Sequence, residues 1–194
     1  MNSEELSRYQ RRKQRTRQAL KEVATRLLIE KGYEAITIQD ITDELDLARA
    51  TFYVHFKDKD DIIWSLLQDH FMMLTAKLSA ELPVPSETRH RQKLLMLFEH
   101  AQEHQKLLSV VLSERGHIVL KQRMASYMVT IIKKDIEMGL TPFVSGDSID
   151  FTAQFLAGAM MQILTWWLVD KNETHSPQQL ADMFLRLEKQ TDNG

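Results

Sequence analysis

Apolar residues recur at the spacing of a helix face along most of the chain, and this periodicity restricts its fold more than any other feature. Between Thr16 and Lys31 the apolar positions lie three or four residues apart. They are Leu20, Val23, Ala24, Leu27 and Leu28. The 194 residues include only 6 Gly and 4 Pro, too few for the turns of a many-stranded sandwich or barrel. We therefore expect an all-α fold.

Start and stop signals divide the pattern into about nine helices. Gly32 ends the first, and Thr37 with Asp40 forms a capping box at the start of the second. Ser176, followed by Pro and then Gln179, begins the last. The predicted helices cover residues 16–31, 38–45, 48–55, 59–81, 86–104, 106–113, 117–138, 149–171 and 177–187, with loops at 83–85 and 139–146.

Composition indicates a globular protein, with 43% hydrophobic and 27% charged residues. The chain has no cysteine, which excludes disulfides, thiolate zinc sites and a cysteine nucleophile, and fits a reducing compartment. The longest apolar segment, Phe155 to Val169, is interrupted by Gln162 and is shorter than the roughly 20 residues that span a bilayer. Residues 1–17 lack the apolar centre of a signal peptide. We expect a cytoplasmic protein without a membrane span.

Basic residues are concentrated at the N-terminus. The net charge of the chain is −2, yet residues 1–26 hold eight basic and three acidic side chains, a local balance of +5. Such a block attracts phosphate groups, although a solvated basic tail has the same composition.

Three short helices within residues 1–58, the second and third separated by two or three residues, have the arrangement of a helix-turn-helix. A fourth and longer helix follows Asp58. We therefore expect a DNA-binding domain over residues 1–58 and a second helical domain over 59–194. Ile38, Ile41, Leu45, Phe52 and Phe56 have the spacing of a small core in the first domain.

The segment TFYVHFKDKDDI, from Thr51 to Ile62, resembles the signature of the TetR/AcrR family of transcriptional regulators, as does the run GYEAITIQDI from Gly32 to Ile41. The resemblance covers about residues 15–67 and implies a TetR-like, ligand-binding homodimer that reads a pseudo-palindromic double-stranded DNA operator. Two positions depart from the family pattern. Asp46-Leu47-Ala48 stands where many members have Gly-x-Ser, and Ala50 replaces a usual Gly.

The resemblance also implies which residues face DNA: Arg12, Thr16, Arg17, Thr37, Ala48, Arg49, Ala50, Thr51, Tyr53, His55 and Lys59. Arg49 is the residue able to make a bidentate contact to guanine, and a phosphate contact is its alternative role. Ala48 and Ala50 flank it at the exposed start of the helix that would read the bases. Thr37, Thr51, Tyr53, His55 and Lys59 would contact the DNA backbone and fix the register of the protein on the duplex. Arg12, Thr16 and Arg17 would add phosphate or minor-groove contacts.

Dimerisation is expected through the last two long helices, as an intermolecular four-helix bundle or, for individual residues, an intramolecular core. The candidate positions are Ala153, Leu156, Ala157, Met160, Leu164, Trp167, Leu180, Met183, Phe184 and Leu187. The family's effector pocket lies in the second domain. Its candidates, of which we expect at most a third to line the pocket and the rest to be core, are Trp64, His70, Phe71, Phe98, His104, Met128, Phe155 and Trp166.

His100 and His104 have a metal-capable i, i+4 spacing, but the motif supplies no third ligand. We expect a solvated pair, with no metal and no cofactor. No pattern of catalytic residues stands out, so we expect a regulator and not an enzyme. The leading hypothesis is a repressor that a small molecule releases from its operator. An activator, or a regulator controlled by a protein partner, is the alternative. A helical enzyme or binding module with an incidental helix-turn-helix is a remote third.

Overall fold

The computed structural model describes residues 8–80, 86–114, 116–141, 148–170 and 175–191, and gives no side-chain description for 75–80, 86–87 and 189–191. In these ranges the chain forms nine helices and no strand, which confirms the predicted fold class. The helices are α1 Arg8–Ala35, α2 Ile38–Asp43, α3 Arg49–Tyr53, α4 Lys59–Ala80, α5 Ser86–Glu103, α6 Gln105–Leu112, α7 Ile118–Glu137, α8 Ile149–Leu168 and α9 Pro177–Thr191.

The predicted helix start and stop signals lie at the ends or breaks of helices wherever the structure describes them. Gly32 interrupts α1 with a φ of 80°, and Thr37 and Asp40 form both hydrogen bonds of the capping box. Ser176 and Gln179 form the same pair of bonds at the start of α9. The predicted loop at 83–85, the Pro142 break within 139–146 and the end of the eighth helix at 169–171 lie wholly or partly outside the described residues.

The first helix begins earlier than predicted, at Arg8 instead of Thr16. Residues 8–15 lack apolar periodicity, so a search for an apolar face misses them. Their Arg, Lys and Gln side chains nevertheless have high helix propensity.

The chain divides into two compact units, residues 1–69 and 70–194. The division lies inside α4, whereas the sequence-based boundary was placed at the start of that helix. In the first unit α1, α2, α3 and the N-terminal part of α4 enclose a small apolar core. Its fully or almost fully buried members include Leu20, Leu28, Ile36, Ile41, Phe52, Phe56, Ile62 and Ile63.

In the second unit the most extensive helix contacts are α7 with α8 and α5 with α9. Polar pairs add to the apolar packing: the Arg91 guanidinium lies 2.8 Å from the Asp182 carboxylate across α5 and α9. Phe98 and Trp167 meet edge to face, with ring centroids 5.9 Å apart. Among the described helices, none combines the length and apolarity needed to cross a membrane.

Candidate nucleic-acid interface and internal cavity

The turn between α2 and α3 places α3 on the surface of the first unit. Asp46 takes a left-handed conformation with a φ of 51°, which Asp tolerates better than most residues. The Leu47 amide then donates to the carbonyl of Thr42 at 2.9 Å and closes the turn. Ala48 begins α3 without a side-chain cap, so the cap that a Ser would provide is absent and Asp46 does not replace it.

Helix α3 has one buried and one exposed side. Phe52 is fully buried, and the Phe56 ring just beyond the helix is nearly so. Arg49 and Tyr53, one turn apart, are exposed, and the Arg49 guanidinium donates to the Tyr53 hydroxyl at 3.2 Å. Ala48 and Ala50 are also exposed, and their small side chains leave the backbone at the start of α3 open to close approach.

Several predicted contact residues are engaged inside the unit. The Arg17 guanidinium donates to the His55 carbonyl at 2.5 Å and to the Ser65 hydroxyl at 3.0 Å, and it stacks 4.0 Å from the centroid of Phe56. The Lys59 ammonium donates to the carbonyls of Tyr33 and Ile36, at 2.8 and 3.2 Å. These contacts hold α1, α3 and α4 together.

The other predicted contact residues differ in exposure. Arg12 and Thr37 are exposed, while Thr16, Thr51 and His55 are half-buried. The Thr37 hydroxyl donates to the Asp40 carboxylate at 2.5 Å, in addition to the two bonds of the capping box. Partial burial, together with the nearby positive charges of Lys13 and Arg17, lowers the pKa of His55. The imidazole therefore remains neutral to lower pH than an ordinary histidine.

A cavity lies inside the second unit among α4, α5, α7, α8 and α9, with a free volume of about 70 Å³. Most of its lining is apolar: Phe71, Leu74, Leu94, Leu97, Met128, Ile131, Ile132, Leu156, Met160 and Phe184. Four polar side chains complete it: His90, Lys93, Thr141 and Glu188.

The polar residues of the cavity form pairs. His90 Nε2 lies 2.8 Å from a Glu188 carboxylate oxygen, and the Lys93 ammonium pairs with the Asp135 carboxylate. Burial lowers the pKa of Lys93 to about 8, although the negative charge of Glu188 partly offsets this. The cavity thus combines apolar walls with one group of titratable side chains.

Of the eight pocket candidates, only Phe71 and Met128 line this cavity. Trp64 is buried in the first unit, Phe98 packs on Trp167, and Phe155 is 59% exposed. The half-buried Trp166 ring lies 5.5 Å from the His175 ring, and His70 and His104 belong to a separate cluster with His100.

None of the polar residues of the cavity is among the predicted pocket residues, although the sequence contains one signal for them. His90 lies in register with Leu94, Phe98 and Ala101, which are the buried positions of α5. A histidine at a buried helical position requires a polar partner, and it therefore marks a polar site within an apolar core.

Most of the dimer candidates lie on the side of α8 and α9 that faces the interior of the second unit. Eight of the ten are buried within one chain, because this side of α8 and α9 packs in the unit's own core: Ala153, Leu156, Ala157, Met160, Leu164, Trp167, Leu180 and Phe184. Met183 and Leu187 are exposed. These two residues belong to α9. On α8 the exposed large apolar side chains are Phe151 and Phe155, one turn apart.

Two family models match the chain. The model described as bacterial regulatory proteins of the tetR family matches residues 20–65, and one described as a transcriptional regulator C-terminal region matches residues 89–190, more than half of the chain. An uncharacterised helix-turn-helix transcriptional regulator of Bacillus subtilis, YuxN, is 25% identical over 174 residues, covering 84% of this chain and 58% of its own. The chain spans about half the length of the curated relatives it matches.

Solved structures share the fold. A Syntrophomonas wolfei protein described as a TetR-family transcriptional regulator superposes with a TM-score of 0.72 at 21% identity, over 93% of this chain and 96% of its own. FadR from Bacillus subtilis, solved with stearoyl-CoA, superposes with a TM-score of 0.62 at 17% identity, over 88% and 96% of the two chains.

An N-terminal helix-turn-helix on a short four-helix core, joined to a larger helical unit with an internal cavity, defines a class of two-part helix-turn-helix regulators. The matches to both units make the assignment more specific. The chain belongs to the TetR family of bacterial transcriptional regulators. Its helix-turn-helix is therefore not an incidental corner between helices.

Proposed function

We propose that this chain is a dimeric transcriptional repressor that binds operator DNA through α3 and is released by a small molecule in the cavity of the second unit. The observation that carries the DNA-binding part is the two-sided character of α3. Its Phe52 side chain is buried in the first unit, while Arg49 and Tyr53 are exposed beside the small residues Ala48 and Ala50. This side of the helix fits a major groove, which admits a single helix.

Arg49 is proposed as the base reader, because its guanidinium can make two parallel hydrogen bonds to guanine. Tyr53 accepts a hydrogen bond from Arg49 and restricts its side chain before DNA arrives. Thr37, Thr51 and His55, with Arg12 and Thr16 of α1, are proposed as backbone contacts. Arg17 and Lys59 are proposed to act mainly by positioning helices, because each already makes two hydrogen bonds to carbonyl or hydroxyl oxygens within the first unit.

DNA binding is tested by fluorescence anisotropy with the DNA upstream of the protein's own gene. Arg49→Ala is expected to weaken specific binding by about 1–3 kcal/mol, or roughly 5- to 150-fold, and to relax base preference at one position of each half-site. Arg123→Ala removes the same charge from the exposed surface of α7 and is the matched control. Wild-type chain that shows no salt-sensitive, saturable binding, or an Arg49 variant that binds like the control, would contradict the proposal.

A dimer is proposed because two half-sites read together give the specificity that one short helix lacks. The exposed apolar residues Phe151 and Phe155 of α8, with Met183 and Leu187 of α9, are the proposed interface. Met183 and Leu187 are kept from the predicted set, and Phe151 and Phe155 take the place of its eight buried members. Large apolar side chains exposed at one-turn spacing are typical of a surface that a partner covers.

The cavity is proposed to bind a mainly apolar molecule with one polar end. Ten apolar side chains form its walls, and His90, Lys93, Thr141 and Glu188 offer hydrogen-bonding groups. The ligand of FadR, stearoyl-CoA, also has a long apolar part, but the lining of this cavity carries the proposal. With a free volume of about 70 Å³, a ligand of ordinary size must displace side chains, and the flexible Met128 and Met160 are suited to this.

Effector binding is tested by titrating operator-bound protein with amphipathic molecules of increasing chain length. A ligand that releases DNA must bind the DNA-free form more tightly than the DNA-bound form. Leu94→Trp, which fills the cavity, is expected to abolish release while leaving DNA affinity unchanged. Release of DNA that persists in this variant would place the effector site outside the cavity. In a separate reporter assay, increased transcription in the presence of the effector-free protein would identify an activator.

A further inference from the structure

Three histidines from separate parts of the second unit come together at the corner between α5 and α6. His100 belongs to α5, and His104 follows one turn later, where its amide donates to the His100 carbonyl at 3.1 Å. This bond keeps the helical spacing through the corner and places the two rings on one side, with centroids 4.4 Å apart. His70, from α4, packs its ring 4.2 Å from His104 and 5.3 Å from His100.

The distances between the ligand atoms fit a metal ion. One ring nitrogen of each histidine can be chosen so that all three lie within 4.8 Å of one another. In a tetrahedral zinc site with metal–nitrogen bonds of about 2.0–2.1 Å, the nitrogens are separated by about 3.4 Å. The three imidazoles therefore need to approach by roughly 1.4 Å at most. All three side chains are half-buried, a level of exposure that leaves an ion access.

We propose that His70, His100 and His104 form a binding site for a divalent first-row transition-metal ion. Three imidazole nitrogens favour Zn²⁺, Co²⁺, Ni²⁺ or Cu²⁺ over Mg²⁺ and Ca²⁺, which prefer oxygen ligands. The chain has no cysteine, so no thiolate competes for the ion. Three protein ligands leave a fourth tetrahedral position for water or a small anion.

The sequence predicts only a solvated pair for His100 and His104, because no third ligand lies near them in the chain. The third ligand comes from 30 residues upstream, on a different helix, and folding alone brings it into place. The alternative interpretation is a cluster of packed rings that binds no ion. The proposed site lies outside the cavity lining and does not depend on the proposed effector or on DNA binding.

The site is tested with Co²⁺ alone, titrated into the full chain prepared without an affinity tag. The expected result is one Co²⁺ per chain, with visible d–d absorption of a nitrogen-ligated ion that Zn²⁺ abolishes. Loss of a partner that only supports a metal ligand weakens binding about 10- to 100-fold. His70→Gln and His104→Gln, each removing a direct ligand, are therefore expected to weaken binding at least about 100-fold.

His175→Gln is the matched control, because His175 lies beside Trp166 and outside the cluster. It is expected to bind Co²⁺ like the wild type. The two test substitutions lie on different elements, and circular dichroism of each metal-free variant checks its folding. Absence of Co²⁺ uptake by the wild-type chain in excess metal would overturn the proposal. So would well-folded His70 and His104 variants that bind as tightly as the control.

Discussion

Gly116 lies in the turn that leads from α6 into α7, and its hydrogen atom occupies a position where a carbon does not fit. A Cβ at this residue would lie 2.0 Å from the Val111 carbonyl oxygen and 3.0 Å from that of Ser113. The Gly116 amide also donates to the Ser113 carbonyl at 2.9 Å. A larger residue must therefore move backbone atoms that end α6.

We expect Gly116→Ala to lower the free energy of unfolding by about 2–3 kcal/mol, since the clash is with backbone. Gly158→Ala is the control, because a Cβ there meets nothing within 4 Å. Helix propensity predicts that this second change raises stability by up to about 1 kcal/mol. Urea denaturation measures the free energy of unfolding of both variants. A Gly116→Ala variant as stable as the wild type would mean that the α6–α7 turn relaxes at little cost.

Lys93 predicts a specific dependence of stability on pH. Its pKa in the folded chain is lowered from 10.5 to about 8. Between these values the unfolded chain binds more protons than the folded chain, so this residue makes stability rise with pH. Below about pH 8 both states are protonated and its contribution is constant.

We therefore expect the free energy of unfolding of the wild type, relative to Lys93→Met, to increase between pH 8 and 10.5 by up to a few kcal/mol. Chemical denaturation of both proteins across this range provides the comparison. Other groups titrate in the same range, but they do so in both proteins and cancel in the difference. Parallel curves for the two proteins would show that Lys93 titrates normally.

At the scale of the helix, α8 shows where sequence reasoning stops. Phe155 and Leu156 are neighbours of similar hydrophobicity, yet the first is 59% exposed and the second is buried. Because α8 is apolar on several sides, its periodicity identifies a helix without indicating which side faces the core. The amphipathic α3 leaves no such ambiguity, and its buried Phe52 was predicted correctly.

The proposed interface on α8 yields a prediction of its own. Phe155→Arg is expected to convert the dimer to monomer in sedimentation equilibrium, because it places a charge in an apolar interface while leaving the core of the unit intact. Ile118→Arg is the matched control on α7, where the isoleucine is 60% exposed. A Phe155→Arg protein that stays dimeric would locate the interface on another surface.

Contacts between helices were the other part that sequence reasoning did not supply. A motif predicts that Arg17 and Lys59 belong to a DNA-binding head, but it does not say which atoms they bind. Their guanidinium and ammonium groups are engaged by groups from elements 20 or more residues away. His70 joins His100 and His104 for the same reason. Pairings of this kind depend on how helices pack, which local periodicity does not encode.

At the scale of the whole molecule, the first unit depends on the N-terminal turns of α4. Ile62 and Ile63 are fully buried in it, and Leu66 is nearly so. The Lys21 ammonium of α1 also pairs with Asp69 at 2.6 Å. A boundary placed at residue 58 leaves these groups outside the DNA-binding domain.

We therefore expect a fragment of residues 1–75 to fold and a fragment of residues 1–58 to remain largely unfolded. The shorter fragment lacks four buried aliphatic side chains, Ile62, Ile63, Leu66 and Leu67, each worth about 1.5–3 kcal/mol of burial. Circular dichroism and amide exchange distinguish the two outcomes. Cooperative unfolding of the shorter fragment would show that α1, α2 and α3 suffice on their own.

The position of the Lys21–Asp69 pair also limits how such regulators can recombine. A different effector-binding domain can be joined to this DNA-binding unit by gene fusion only if the crossover falls beyond the codon for Asp69. A crossover at the apparent motif boundary would combine α1 with the α4 of another lineage, whose side chains did not evolve against it. The compact unit, residues 1–69, is therefore longer than the helix-turn-helix proposed to contact DNA.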